Sequence, residues 1–565
     1  MRLPILLLAA GLAYSQQTAV TVLATTDMHG NLYPIDYVTD RPAARGLAKA
    51  ATLVRAAEAE NPNYLLIDCG DAIQGTPLEY AYQDIVRTGF GPLGLKPAAP
   101  LEHDPMMLAM NHLGYDAMTL GNHELNFGLK NLDKARADAH FPWLSANTTV
   151  APGGKERPFA AYVVKTVAGV KVAVIGITTP AIPTWEKPEN IGSYRFAPPV
   201  EALKKAVAAL RATAHPDLIL VAAHSGLGRN LDTGSLEDPA ENAVYDMAVA
   251  VPEVDAIVFG HSHRELAGAS VGNVLLVQPK NWAMSVARLD FTLDRKPGAG
   301  WTVVRKTSRL IPVTAATEAA EDILAVGKPY QEFAERHLDT PVATSSIPLS
   351  AALGRVEDTA IVDAVQEAQL YYSKADVSFT ALFNPAVRVP QGQVTVRQIA
   401  ALYPYDNELY AIEGDGKMVK DALENAARYF LSCQGARCSQ LPLTDRAVAG
   451  FNYDMAQGVA YDIDLTQPEG SRIRNLRWHG APLAPDRKLR IAINNYRAAG
   501  SAGYSMFVAA KVVWHGGEEI RDMLVHYYTD RKKLPAGVDN HWRLLPEEAR
   551  KTLEKEAQSA SPQSQ

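Results

Sequence analysis

Cysteine is scarce, at three in 565 residues, which is too few for a scaffold held by disulfides. Cys433 and Cys438 bracket a four-residue loop and can close one small bridge in an oxidising compartment. Cys69, beside Gly70-Asp71, reads as a small buried residue, with a zinc thiolate as the alternative. Excess positive charge is also lacking: 55 basic residues against 62 acidic give a net charge of −7. That argues against polyanion binding as the main function and predicts no nucleic-acid polymer as partner. A phosphate substrate stays open, because bound cations dominate their local field. Beyond the first fifteen residues no uninterrupted apolar run reaches transmembrane length. There is no internal repeat.

The N-terminus is where an apolar run does occur. Arg2 precedes apolar Leu3 to Ala13, and Ala13-Tyr14-Ser15 fits a small-x-small cleavage pattern. The run is too short to span a bilayer, so residues 1–15 read as a signal peptide cleaved near Ser15. The mature chain is then expected in the periplasm or the medium, without a membrane anchor and as a monomer. With 47% apolar and 21% charged residues it is a globular chain, long enough for two large domains.

From Thr18 to about Asp290 short apolar strands alternate with Ala-rich helices, the pattern of an α/β layer structure. Helices are predicted over Leu47–Glu60, His103–Leu113 and Val200–Thr213. Strands are predicted over 18–26, 64–68, 116–120, 217–223 and 256–259, with a hairpin about Gly169. Residues 16–315 form the first domain, 316–340 a long linker helix, and 341–545 a second α/β domain with its own core. Residues 546–565, charged and then Ser/Gln-rich, are expected as a frayed tail.

Polar clusters follow five of the strands. Asp27 and His29 come first, two residues apart on an extended strand end, where both side chains can share a cation. Asp71, the pair Asn122/His123, His224, and His261/His263 follow the others. In an open α/β sheet ligands bind beyond strand C-termini, so these clusters converge on one rim. Two Asp, one Asn and four His, besides His123, suffice for two cations if Asp71 bridges them. Mixed imidazole and carboxylate donors suit zinc, manganese, iron or cobalt better than magnesium or calcium. Gly30, Gly70, Gly121, Gly226 and Gly260 lie beside these residues, where the backbone is expected to turn sharply.

The runs Thr26-Asp27-Met28-His29-Gly30-Asn31, Asp68-Cys69-Gly70-Asp71, Gly121-Asn122-His123-Glu124, His224-Ser225 and Gly260-His261-Ser262-His263 together resemble the metal motifs of the calcineurin-like metallophosphoesterases. More specifically the chain resembles the 5′-nucleotidase family, through nearly its whole mature length. The resemblance implies a four-layer αββα catalytic domain, a long linker helix and a C-terminal α/β substrate-binding domain that rotates relative to the first. It implies one divalent cation on Asp27, His29, Asp71 and His263, and another on Asp71, Asn122, His224 and His261. His123 would be the catalytic histidine, facing phosphate. Where the 5′-nucleotidase and UDP-sugar hydrolase branch has Asp, this chain has Asn126; where that branch ends its last motif in Gln or Asn, it has His263. These departures, with the segments 223–227 and 241–245, resemble the bifunctional 2′,3′-cyclic-nucleotide 2′-phosphodiesterase/3′-nucleotidases, with 5′-nucleotidase or UDP-sugar hydrolase specificity as the alternative. A secreted nucleotide-binding surface protein without activity is the alternative of another class. Tyr405 and Tyr496 are similar to the pair of aromatics that sandwich the base. Asn407 is a candidate for hydrogen bonding to the base edge or to backbone, and Arg355 and Arg388 are candidates for meeting phosphate, with a surface role for each as the alternative. Gly500-Ser501-Ala502-Gly503-Tyr504 lacks the acid that binds ribose in the 5′-nucleotidase branch.

Overall fold

A computed structural model describes residues 16–236, 241–296, 300–405 and 407–559. The expected signal peptide lies outside the described residues. The chain divides into two compact units, Met1–His337 and Leu338–Gln565.

Unit one is built on two six-stranded sheets. The first runs in the order Gly300–Pro312, Ser285–Lys296, Gln16–Thr25, Tyr64–Asp68, Ala117–Thr119, Trp143–Leu144. The second runs Leu266–Val271, Val274–Gln278, Ala256–Phe259, Leu218–His224, Val170–Thr178, Tyr162–Val167. Period-two alternation explains the stacking. Val20, Val22, Ala24, Leu65 and Ile67 of the first sheet and Val172, Val174, Leu218, Leu220 and Val258 of the second share one buried core. Burying each Val or Leu side chain there contributes roughly 1.5–3 kcal/mol. The other face of the second sheet offers Ile175, Ile219, Val221 and Ile257 to the helices Pro199–Thr213 and Val244–Ala250. Leu47–Glu60 packs on the strand Ser285–Lys296 of the first sheet. The result is helix, sheet, sheet, helix, with the core between the two sheets.

Strand direction matters more than strand count. Gln16–Thr25 pairs parallel with Tyr64–Asp68, and that with Ala117–Thr119. In the second sheet Val170–Thr178, Leu218–His224 and Ala256–Phe259 are likewise parallel. All the strands that precede a polar cluster therefore deliver it to the same rim of their sheet.

The linker helix expected over 316–340 spans Glu321–Leu338. Thr314 and Thr317 hold a turn before it: the Thr314 amide donates to Thr317 Oγ1 and the Thr317 amide to the Thr314 carbonyl. The helix lies along unit one. Asp322 meets Arg55 and His112, and Tyr330 Oη donates to the His103 carbonyl.

Unit two has a five-stranded sheet in the order Asp454–Gln457, Val377–Ala381, Lys488–Asn494, Glu408–Asp415, Val512–Glu519. A four-stranded sheet is made by Ala481–Pro482, Ile473–Trp478, Ala460–Asp464 and Trp542–Leu545. Cys433 and Cys438 are bonded. The frayed tail is overturned over most of its length: Glu547–Ser559 is a helix that buries Ala549, Thr552 and Leu553. The Glu556 carboxylate there accepts from the Leu443 amide and Thr444 Oγ1. Sparse apolar residues at helical spacing outweigh the charge around them. Asp358, Asp363, Asp539 and His541 also gather in this unit. Burial pushes His541 down, but Asp358 and Asp539 outweigh it and raise it to about 9. No helix among the described residues is long and apolar enough to cross a membrane.

Candidate active site

The two rims of unit one are stitched together at the strand ends. The Asp27 amide donates to the Gly70 carbonyl at 2.9 Å and the His29 amide to the Asp71 carbonyl at 2.8 Å. Across the sheets, the His261 amide donates to both oxygens of Asp27 at 3.0 Å, and His224 Nδ1 donates to the Cys69 carbonyl at 2.8 Å. All seven residues expected as ligands, and His123, are brought to this one place.

A carbonyl oxygen only accepts, so the bond to Cys69 puts a proton on His224 Nδ1. Its Nε2 then faces Asp71 Oδ2 at 3.0 Å and Asn122 Oδ1 at 3.0 Å. His29 is fixed in the same way: Nδ1 donates to the Gln74 carbonyl at 3.0 Å, turning Nε2 inward. That Nε2 lies 3.0 Å from His263 Nε2 and 3.9 Å from Asp71 Oδ2, with Asp27 Oδ1 3.4 Å from His263 Nε2. His261 stacks edge-on against His224, ring centroids 5.1 Å apart. Lone pairs thus converge in two adjoining groups: Asp27, His29 and His263 in one, Asp71, His224 and Asn122 in the other, with His261 beside the second.

The electrostatics agree. Burial pushes Asp27 up, but its bond to His263 and the charge of His224 outweigh it and hold the carboxyl at about 2. Burial and the neighbouring His263 lower His29 to about 4, so its ring is neutral at pH 7. Burial lowers His224, yet the Asp71 carboxylate raises it to about 10. The negative field that draws a proton onto His224 is the field a divalent cation would answer. Neutral imidazole nitrogens and ionised carboxylates are the donor set such a cation needs, and second-shell carbonyls already orient the rings.

Two of the glycines turn the backbone as expected, Gly30 at φ 66° and Gly70 at φ 99°. The left-handed backbone also falls on the donors themselves: φ is 48° at Asp27, 47° at His29, 61° at Asp71, 71° at His261 and 53° at His263. Holding non-glycine residues there costs about 1–3 kcal/mol each and is a mark of functional sites. Gly260 is required for close approach instead, since a Cβ would lie 1.9 Å from Thr26 Oγ1 and 2.4 Å from Asp27 Oδ2. Cys69 is not a donor to the site; it is buried, with its thiol on the Val258 carbonyl.

His123 sits beside His29, ring centroids 5.1 Å apart, and its amide donates to Asp71 Oδ1 at 2.8 Å. Its Nδ1 is 2.6 Å from Asn126 Oδ1. Two carboxylates that sequence reasoning did not single out complete the surroundings. Buried Glu124 accepts the amides of Asp71, Ala72 and Gly121 at 2.9, 2.6 and 2.7 Å, tying two donor loops together. Burial and the nearby Asp71 raise it to about 7. Glu241 Oε1 lies 3.9 Å from His261 Nε2. Glu124 was visible only as the residue after His123; Glu241 had no signal beyond its place in a conspicuous segment.

In unit two, Leu409 pairs with Asn494, which puts Tyr405 and Tyr496 at the same end of the sheet. Both are exposed, at 45% and 59%. Phe383 meets Tyr405 edge-on at 4.9 Å. Asn407 is buried, with Nδ2 donating to Tyr403 Oη at 3.0 Å. Arg355 holds the Leu382 carbonyl at 2.9 Å, supporting the loop that carries Phe383. Arg388 is exposed and donates to the carbonyls of Pro385 and Val387, both at 2.8 Å.

Residues 20–265 match the calcineurin-like phosphoesterase family and residues 341–509 the 5′-nucleotidase C-terminal domain. The trifunctional nucleotide phosphoesterase protein YfkN of Bacillus subtilis is 29% identical over 94% of this chain, which spans only 39% of that protein's length. The 2′,3′-cyclic-nucleotide 2′-phosphodiesterase/3′-nucleotidase of Salmonella typhimurium is 30% identical over 96% of this chain and 91% of its own. A crystal structure from Staphylococcus aureus, described as a candidate 5′-nucleotidase, aligns with a TM-score of 0.70 at 26% identity, covering 93% of this chain and 100% of that one.

Proposed function

This chain belongs to the calcineurin-like phosphoesterases that carry a 5′-nucleotidase C-terminal domain, and from that premise we propose that it hydrolyses nucleotide phosphoesters, opening 2′,3′-cyclic nucleotides to 3′-nucleotides and then releasing phosphate from them. The observation that carries the hydrolase reading is the convergence of inward-facing imidazole nitrogens and carboxylates in two adjoining groups beside His123.

Asp27, His29, His263 and Asp71 would hold one divalent cation, and Asp71, Asn122, His224 and His261 the other, with zinc, manganese, iron or cobalt the metals their chemistry favours. Two such ions, when bound, supply Lewis-acid activation of water and neutralise charge on the phosphoryl oxygens. The protein's own part is to fix the donors, through the Cys69 and Gln74 carbonyls, and to present His123. With Nδ1 held by Asn126, the His123 atom left for substrate is Nε2, which stabilises developing charge or protonates the departing sugar oxygen. Tyr405 and Tyr496 offer flat faces for the base, a contact typically ~1–3 kcal/mol per stacked base.

Asn126 in place of an aspartate and the absence of a carboxylate from residues 500–504 favour a substrate phosphorylated at 2′ and 3′ over one with a free ribose diol. We further propose that the chain is exported by its first fifteen residues and acts as a monomer in the periplasm or medium.

The test is a comparison of 2′,3′-cyclic AMP, 3′-AMP and 5′-AMP on purified protein. Turnover of the first two, with 3′-AMP seen as the intermediate, is expected. Preference for 5′-AMP without cyclic activity would establish the 5′-nucleotidase alternative.

A further inference from the structure

A side-chain amide has an accepting end and a donating end, so Asn126 by itself does not settle which ring nitrogen of His123 carries a proton. If Oδ1 faces the ring, Nδ1 is protonated; if Nδ2 faces it, Nδ1 is bare. What settles the matter is the group at the other end of the amide. That group is Glu186, at the end of the short helix Ile182–Trp185.

Glu186 is surrounded by donors. Its Oε2 takes Asn126 Nδ2 at 2.6 Å, and its Oε1 takes Asn190 Nδ2 and the Lys187 amide, both at 2.8 Å. All three are N–H groups, so the carboxylate only accepts and the amide of Asn126 must present its nitrogen to it. Its oxygen is thereby turned to His123 Nδ1, 2.6 Å away. Asn190 closes the clamp, donating also to the backbone carbonyl of Asn126 at 3.0 Å.

We propose that Glu186 is a positioning residue for His123: acting through the Asn126 amide, it fixes the ring's tautomer so that Nδ1 is protonated and Nε2 faces the substrate. The carboxylate that other family branches place at position 126 is here one residue further out, with an amide between. The inference rests on the role given above to His123.

The arrangement has a consequence that a merely structural contact lacks. The best residue at 186 depends on the residue at 126. Asn126 requires an acceptor there; an aspartate at 126 requires a donor. Four proteins test this: wild type, Glu186→Gln, Asn126→Asp and the double variant, each assayed for kcat and KM on 2′,3′-cyclic AMP and for bound metal. Glu186→Gln lets the amide of Asn126 turn over and is expected to lower kcat ~10-fold. Asn126→Asp sets two carboxylates against each other and is expected to lower it ~100-fold. In the double variant the introduced glutamine donates to the introduced aspartate, returning kcat to within ~3-fold of wild type. KM and metal content are expected to stay constant throughout.

A second readout does not depend on turnover. In 15N-histidine-labelled, zinc-loaded protein, the ring signals of His123, assigned by their loss in His123→Ala, are expected to report protonated Nδ1 in wild type and a mixture in Glu186→Gln. The proposal is overturned if Glu186→Gln lowers kcat by the same factor with either residue at 126, or if the tautomer of His123 is indifferent to residue 186. Wild type inactive on cyclic nucleotide, with the tautomer shift present, would instead refute the function and leave the positioning established.

Discussion

Asp71→Asn is expected to lower kcat/KM on 2′,3′-cyclic AMP roughly 10³-fold, about 4 kcal/mol of transition-state stabilisation. Asparagine keeps the size of the side chain and an oxygen for the His123 amide, which Asp71 Oδ1 accepts at 2.8 Å. What it removes is charge. The Asp71 carboxylate is buried, 3.0 Å from His224 Nε2 and 3.9 Å from His29 Nε2, within reach of both donor groups. Without it each proposed cation loses its shared anion, and the imidazoles that remain carry no negative charge to replace it. Metal analysis of the purified variant should therefore show less than the two equivalents of wild type, alongside the kinetic loss. Full metal content with full turnover would remove Asp71 from the centre.

His123→Ala is expected to do the opposite to metal and something similar to rate. The contact between residue 123 and Asp71 runs through a backbone amide, which alanine retains. The donors of both groups keep their partners, so two equivalents of metal and a KM within ~3-fold of wild type are expected, with kcat lower by ~10²–10⁴. The pair of variants separates holding the cations from using them. Equal loss of metal in both would mean that His123 is part of the metal frame; unchanged kcat in His123→Ala would remove its catalytic role.

Much of this was legible along the chain, and the reason is geometric. Parallel strands carry whatever follows them to one rim, so Asp27, Asp71, Asn122, His224 and His261 could be gathered from strand ends without knowing the order of the sheets. Alternating and continuous apolar runs marked Tyr64–Asp68 and Ala256–Phe259 as strands with their observed limits. Strands with weak apolar signal did not stand out: Val512–Glu519 carries two glycines and two acids, and it is paired because Glu408–Asp415 offers it an edge.

Backbone conformation at the site was legible in part. The turns expected at the glycines occur at Gly30 and Gly70, whereas the left-handed φ of the donors themselves is imposed by the tertiary structure, and Gly260 serves to admit Asp27. Glu186 acts at a position that no local pattern distinguishes, and Glu124 stood in its motif run without a role of its own. Glu124 matters because the loops at 71–73 and 121 lie on either side of it, and Glu186 because Asn126 faces it across 60 residues of chain. Asn407, whose position suggested hydrogen bonding to a base edge or to backbone, is buried and donates to Tyr403 Oη, a contact no local pattern foretells.

The most direct test of a dinuclear centre is a metal titration of turnover. Protein stripped by a chelator and dialysed is reconstituted with increasing zinc or manganese while hydrolysis of 2′,3′-cyclic AMP is followed. The structure predicts negligible turnover without metal and a rise that levels off at two equivalents per chain. Turnover that survives chelation, or that is complete at one equivalent, would contradict it.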